Sequence, residues 1–301
     1  MVGLRLSTAS IVAMGALVVS ALVPVTARGQ IFVANRTAGT VGEYSLSGAT
    51  INASLISVLG ASGVAVSGSD LFVANGSSVG EYTTSGGTLN ASLITGLSGA
   101  DSIAVSGSDL FVANYTARTI GEYTTTGTKL NSSLISVAGG PFGLAVSGSD
   151  IFVSDYDGGE VSEYTTAGGT VSSPLVTGLH SPDGIAVSGS DLYVANSQAG
   201  EGDVGEYDSS GDNLNAALIS SYQSEGIAVY GSDLFVTYFD NSGNSYIGEY
   251  DLSGDAVNAT LVSGLSDAQG LAVVPEPTTG SLLLVAAAGT LLRRRSRAWA
   301  D

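Results

Sequence analysis

Between residues 31 and 273 short apolar runs alternate with runs of Gly, Ser and Thr in a fixed order. Four kinds of run recur: "GIAV", then "DLFVAN", then "VGEYTT", then "LNASLI". Their shortness, their β-branched and aromatic content and their turn-forming borders predict strands, and no helical spacing of apolar positions interrupts them. In the first two kinds apolar residues stand at both odd and even positions, which predicts strands covered on both faces. The apolar tetrad ends at Val66, Val105, Val146, Val187, Val229 and Val273. The Glu-Tyr pair begins at Glu43, Glu81, Glu122, Glu163, Glu206 and Glu249, with spacings of 38, 41, 41, 43 and 43 residues. Six units of about 40 residues, each of four strands, are the signature of a propeller or a solenoid.

The phase of the repeat separates these two. It begins at "IFVAN" (Ile31 to Asn35), a second strand, and stops at "GLAV" (Gly270 to Val273), a first strand. Pairing the last strand with the first three completes a sixth blade and removes the exposed edges of an open stack. The expected fold is therefore all-β, a six-bladed β-propeller closed by its N- and C-terminal strands. Over Ile31 to Val273 the pattern resembles NHL-type propellers.

Within this frame the most repeated stretch, "SGSD" (Ser67 to Asp70 and its copies), falls at the tight turn between first and second strands on the lower side. Gly supplies positive φ there and the polar residues bond locally, a scaffold role. A calcium loop needs more oxygen ligands at alternating positions, and this sequence turns apolar after its Asp. The tyrosines of the Glu-Tyr pairs are expected to pack between blades. Their Glu partners are left to solvent, amides and hydroxyls for want of cations.

Charge narrows the partners. The chain has 9 basic and 27 acidic residues, and only Arg36, Arg118 and Lys129 lie between Gly29 and Pro277, against 26 acids, a formal charge of −23. Phosphate binding requires clustered Lys and Arg, so nucleic acid is excluded as a partner. Cysteine is absent, so packing and backbone pairing must hold the domain together without disulfides.

Both ends carry addresses. Residues 1–27 join Arg5 to the apolar run "IVAMGALVVSALV" and to small residues at Val25 and Ala27, the pattern of a signal peptide cleaved after Ala27. The domain follows over 28–274. From 275 to 301, Pro275, Glu276 and Pro277 precede a short apolar run and Arg293, Arg294, Arg295 and Arg297. The arginines are expected to stay cytoplasmic. Order and spacing resemble the PEP-CTERM sorting signal of Gram-negative bacteria. The resemblance implies a transient inner-membrane helix, processing by an exosortase-like enzyme, and delivery to the cell surface or to extracellular polysaccharide.

Chemistry is sought where near-identical units differ. Just before each first strand stand Ser62, Asp101, Phe142, Asp183, Glu225 and Gln269, a column expected at the upper mouth of the central channel. Asp101, Asp183, Glu225 and Gln269 form a candidate calcium site, since calcium takes six to eight oxygens. The upper loops begin at Asn35, Asn75, Asn114, Asp155, Asn196 and Tyr238. The longest carry Tyr238, Phe239 and Tyr246, expected to be exposed and, together with His180, suited to contact with a glycan or another surface protein. His180, the only histidine, rules out a multi-histidine metal site and lies three residues before Asp183. "GSSVG" (Gly76 to Gly80) matches a nucleophile-elbow pattern but falls in a hairpin, not a strand-to-helix turn. The expected role is a binding or structural module. The alternative is a calcium-dependent propeller enzyme resembling sugar-acid lactonases, with His180 as a base.

Overall fold

The computed structural model describes residues 29–198, 202–221 and 223–275; the signal segment, Glu276, Pro277 and the arginine cluster lie outside them. Among the described residues every regular element is a strand, and no helix is long and apolar enough to cross a membrane.

The first three strands are β1 (Gly29–Asn35), β2 (Thr40–Ser45) and β3 (Thr50–Ser57). There follow β4 (Val64–Ser67), β5 (Asp70–Ala74), β6 (Gly76–Thr83), β7 (Thr88–Ser106), β8 (Asp109–Asn114), β9 (Thr119–Thr124) and β10 (Lys129–Ser136). Next come β11 (Pro141–Ser147), β12 (Asp150–Asp155), β13 (Glu160–Thr165) and β14 (Thr170–Thr177), then β15 (Pro182–Ser188), β16 (Asp191–Asn196), β17 (Asp203–Asp208) and β18 (Asn213–Ser220). The last are β19 (Gln223–Tyr230), β20 (Asp233–Phe239), β21 (Ser245–Asp251), β22 (Ala256–Leu265) and β23 (Ala268–Pro275).

These strands build a propeller-like fold of antiparallel sheets. Four sheets have four strands each: β23-β1-β2-β3, β11 to β14, β15 to β18, and β19 to β22. The expectation of six discrete blades is corrected at the second and third units, which form one seven-stranded sheet from β4 to β10. The cause is local. The upper loop of the second unit is a single residue, Asn75, between β5 and β6, so Gly76 is free to pair with Ala100. That pairing holds the chain extended through the connection, and β7 runs 19 residues into its pairing with β8.

The two ends of the domain meet as their phase requires. β1 pairs antiparallel with β23, with Ile31 opposite Val273 and Gly29 opposite Pro275. The innermost strands touch in cyclic order, β4, β7, β11, β15, β19, β23 and back to β4.

Apolar clusters fill the spaces between successive units. Tyr82, for example, is grouped with Phe32, Ala34 and Val41 of the first unit and with Leu71 and Val73 of its own. The tyrosine also accounts for the Gly two residues before it, because a Cβ on Gly80 would lie 2.7 Å from the Tyr82 ring. Glu43 and Glu206, from two other Glu-Tyr pairs, have the uncharged partners that the lack of cations demands. Gln30 donates to Glu43 at 2.6 Å and the Tyr193 hydroxyl to Glu206 at 3.4 Å.

The repeated turn is scaffold. Ser67 pairs with Asp70 across a two-residue loop whose first residue, Gly68, has φ +61°, the conformation of a type II′ hairpin. Ser69 donates to the Asp70 carboxylate at 3.3 Å, so the Asp accepts from a hydroxyl rather than a backbone amide. The outer strand explains its own recurring Asn. Asn52, Asn90, Asn131, Asn215 and Asn258 each accept from the amide two residues on, at 3.1–3.2 Å, and such local bonds occupy groups that an open edge would offer to another chain.

Candidate functional site at the channel mouth

The column of variable residues arrives at the mouth through a shared irregularity. In five of the six units the pairing of the innermost strand with its neighbour skips where these residues stand; Ser62 instead precedes β4, whose pairing is regular. Asp101 is bypassed between Ala100 and Ser102, Phe142 between Pro141 and Leu144, Asp183 between Pro182 and Ile185, and Glu225 between Ser224 and Ile227. Gln269 is bypassed in the β1–β23 pair. A β-bulge releases a residue from the ladder and re-aims its side chain.

The residue after each column position is mostly Gly, for a steric reason. A Cβ on Gly63 would lie 2.6 Å from the Asp101 carbonyl, one on Gly226 2.4 Å from that of Gln269, and one on Gly270 2.7 Å from that of Ser62. Successive innermost strands thus touch backbone to backbone. Buried hydroxyls tie them together: Ser154 donates to the Asp183 carbonyl at 2.6 Å, and Thr237 to that of Gln269 at 2.8 Å.

At the mouth a cavity of about 90 Å³ is lined by Ser62, Asp101, Phe142, Asp183 and Gln269 and by the residues that follow them. Glu225 occupies the same column and is buried, with its Oε2 lacking any hydrogen-bond partner. Burial pushes the Asp183 carboxyl well above the usual carboxylate range, the Asp101 charge adds to this, and Arg36 opposes it. Glu225 is pushed up to about 9 by burial, then by Asp183 and Asp267, again against Arg36. Asp101 is raised by burial and held back by Arg36. One exposed guanidinium therefore acts on three acids.

Sequence reasoning assigned Arg36 no role. Its place is set by the first upper loop, where its amide donates to the Asp267 carbonyl at 2.9 Å, while Thr37 and Gln269 bond the Asp267 carboxylate at 3.0 and 2.9 Å.

A second feature was also missed. The Tyr115 ring lies edge to face with Phe142 at 5.9 Å and with Tyr156 at 6.4 Å, and the Phe142 and Tyr156 rings are tilted by 35° at 5.4 Å. All three are half-buried, and the Tyr115 hydroxyl donates to Asp157 at 3.0 Å. The signal was present one residue beyond the loop-initial Asn or Asp, where the units read Arg36, Gly76, Tyr115, Tyr156, Ser197 and Phe239.

The remaining candidates lie elsewhere. Tyr238, Phe239 and Tyr246 are not loop residues: β20 and β21 extend to include them, pairing Tyr238 with Tyr246 and Phe239 with Ser245. Tyr238 and Tyr246 stack at 5.4 Å, and the Tyr238 hydroxyl is tied to the Ala259 carbonyl at 2.6 Å. Half-burial replaces the exposure expected of them. His180 is exposed and acts electrostatically on Asp203; it does not line the mouth cavity. Two of the loop-initial residues serve as caps, Asn75 accepting from Ser78 N at 2.9 Å and Asp155 from Gly139 N at 2.7 Å, whereas Asn114 donates to the Val112 carbonyl at 3.3 Å and its Oδ1 has no partner. No three Asp, Glu or His side chains among the described residues gather closely enough for one metal ion.

No protein-family model matches the sequence, and no curated protein matches it. Solved structures do. The chain is similar to one from a nidogen/laminin complex, with a TM-score of 0.69 and 13% identity over 81% of this chain and 98% of that one. A putative 6-phosphogluconolactonase from Bacteroides fragilis gives 0.61 and 13%, covering 83% and 98%. Another from Bacteroides uniformis gives 0.55 and 14%, covering 80% and 83%. At such identities the likeness concerns the fold, and it places this chain among the β-propellers.

Proposed function

We propose that the protein is a non-catalytic binding module whose ligand seats at the upper mouth, and that the fused second and third units count as two blades of a six-unit ring. One observation carries this reading. The variable column forms a small polar cavity of about 90 Å³, room for several waters or one head group at about 10–15 Å³ per water. That is a recognition point for part of a larger ligand, not a cleft enclosing a substrate. The terminal segments add the setting: export through 1–27, transient holding in the inner membrane, processing by an exosortase-like enzyme within 275–301, and residence at the cell surface or in extracellular polysaccharide. Glycan-array binding by the full-length protein, with and without calcium, tests it. Binding that disappears in Asp183→Asn and Phe142→Leu supports the reading. Binding indifferent to both removes the mouth as the site.

A lactonase-type reaction is the second reading, favoured by one observation. Glu225, raised to about 9, holds its proton at neutral pH as a general acid must. Turnover of a sugar-acid lactone that falls on Glu225→Gln would support it. Calcium dependence would then require Asp101, Asp183, Glu225 and Gln269 to draw together around the ion.

A further inference from the structure

We propose that the mouth binds an organic ammonium group, held against the Tyr115, Phe142 and Tyr156 rings with its charge facing Asp101 and Asp183. This rests on the mouth being the binding site and names the class of ligand it takes. The scaffold does not require the aromatic cluster, since the second and fifth units are built with Gly76 and Ser197 where Tyr115 and Tyr156 stand. Three half-buried rings from three elements, the loop after β8, the start of β11 and the loop after β12, nevertheless meet one another, and through Phe142 they adjoin the mouth cavity. Phe142 lines that cavity together with Asp101 and Asp183. Aromatic faces joined to carboxylates recognise weakly hydrated cations such as quaternary ammonium groups.

Charge leads the same way. Around the mouth stand Asp101, Asp183, Glu225 and Asp267, with Asp157 beyond the Tyr115 hydroxyl. Among the described residues Arg36 is the one cation acting on Asp101, Asp183 and Glu225. A metal ion needs its oxygens within about 2.3–2.6 Å of one point, and these acids are not so gathered. A wider organic cation needs no such convergence.

The test uses the full-length protein, choline chloride and its neutral carbon isostere 3,3-dimethylbutan-1-ol, titrated by calorimetry at low salt. Choline is expected to bind about tenfold or more tightly than the isostere, in keeping with a desolvated cation–π contact. Phe142→Leu, which keeps bulk and removes the ring, and Asp183→Asn should each weaken choline several-fold. Asp212→Asn, an exposed charge change on the opposite rim, should not. Choline does not titrate, and a bound cation favours ionised acids, so its affinity should rise from pH 6 to pH 9 with protons released on binding. Equal affinity for the isostere, no choline binding, or indifference to both mouth variants overturns the proposal. If calcium or a glycan binds at the mouth while choline does not, the ligand class falls and the site remains; if neither mouth variant alters any ligand, both fall.

Discussion

The amide of Gly270 donates to the carbonyl of Ser62 at 2.9 Å, and this bond joins the last innermost strand to the first. A Cβ on Gly270 would stand 2.7 Å from that carbonyl and 3.1 Å from the Gly63 Cα, both backbone atoms that cannot swing aside. Gly270→Ala should therefore destabilise the domain by about 1–3 kcal/mol, the usual cost of overpacking. A urea midpoint that falls at unchanged slope is the expected signature; an unchanged midpoint would mean that the seam is loosely packed.

Ser154 bridges two strands, accepting from Gly143 N at 2.7 Å while donating to the Asp183 carbonyl at 2.6 Å. Ser154→Ala leaves both backbone groups buried without that partner, at a cost of about 1–3 kcal/mol. Ser154→Thr should be close to neutral, because Thr237 makes the same pair of bonds, to Gly226 N at 2.7 Å and the Gln269 carbonyl at 2.8 Å. Thermal melts of the two variants decide it, and equal losses would contradict the bridging role.

At Gly80 the Tyr82 ring leaves no room for a Cβ, yet the fourth unit carries Ser162 before Tyr164. A tyrosine can thus be accommodated beside a side chain, and Gly80→Ala should cost only about 1 kcal/mol, the low end of overpacking, while Gly80→Val should cost more. Denaturant midpoints of the pair give the comparison.

The buried acids make stability depend on pH. Glu225 has a folded pKa of about 9 against an ordinary 4.5, so between these values the folded chain keeps a proton that the unfolded chain releases. Its contribution is full below about pH 4.5 and is lost progressively as pH rises toward 9, and the raised Asp183 acts in the same direction. Glu225→Gln cannot ionise and should raise stability at pH 8 by about 1–3 kcal/mol, or roughly 2–10 °C in Tm, with little effect at pH 5. Melting curves at both pH values would show the difference; an equal effect at both would point to packing instead of charge.

The sequence by itself determined the period, the four strand types and the phase by which Ile31 meets Val273. These follow from local pattern, since burial on two faces and tight turns select residue types position by position. It also placed Asp101, Asp183, Glu225 and Gln269 in one column, because near-identical units make their differences visible. Tertiary structure decided the rest. The bulges that turn this column into the mouth arise from pairing between strands, and β7 runs through two units because a one-residue loop lets Gly76 pair with Ala100. The reach of Arg36 over three acids and the meeting of Tyr115, Phe142 and Tyr156 join residues far apart in the chain. Tyr238 and Tyr246 left the loop for the sheet because their mutual pairing and stacking extended the hairpin. Repetition fixes what each unit must be, whereas distances across a ring depend on how the units close.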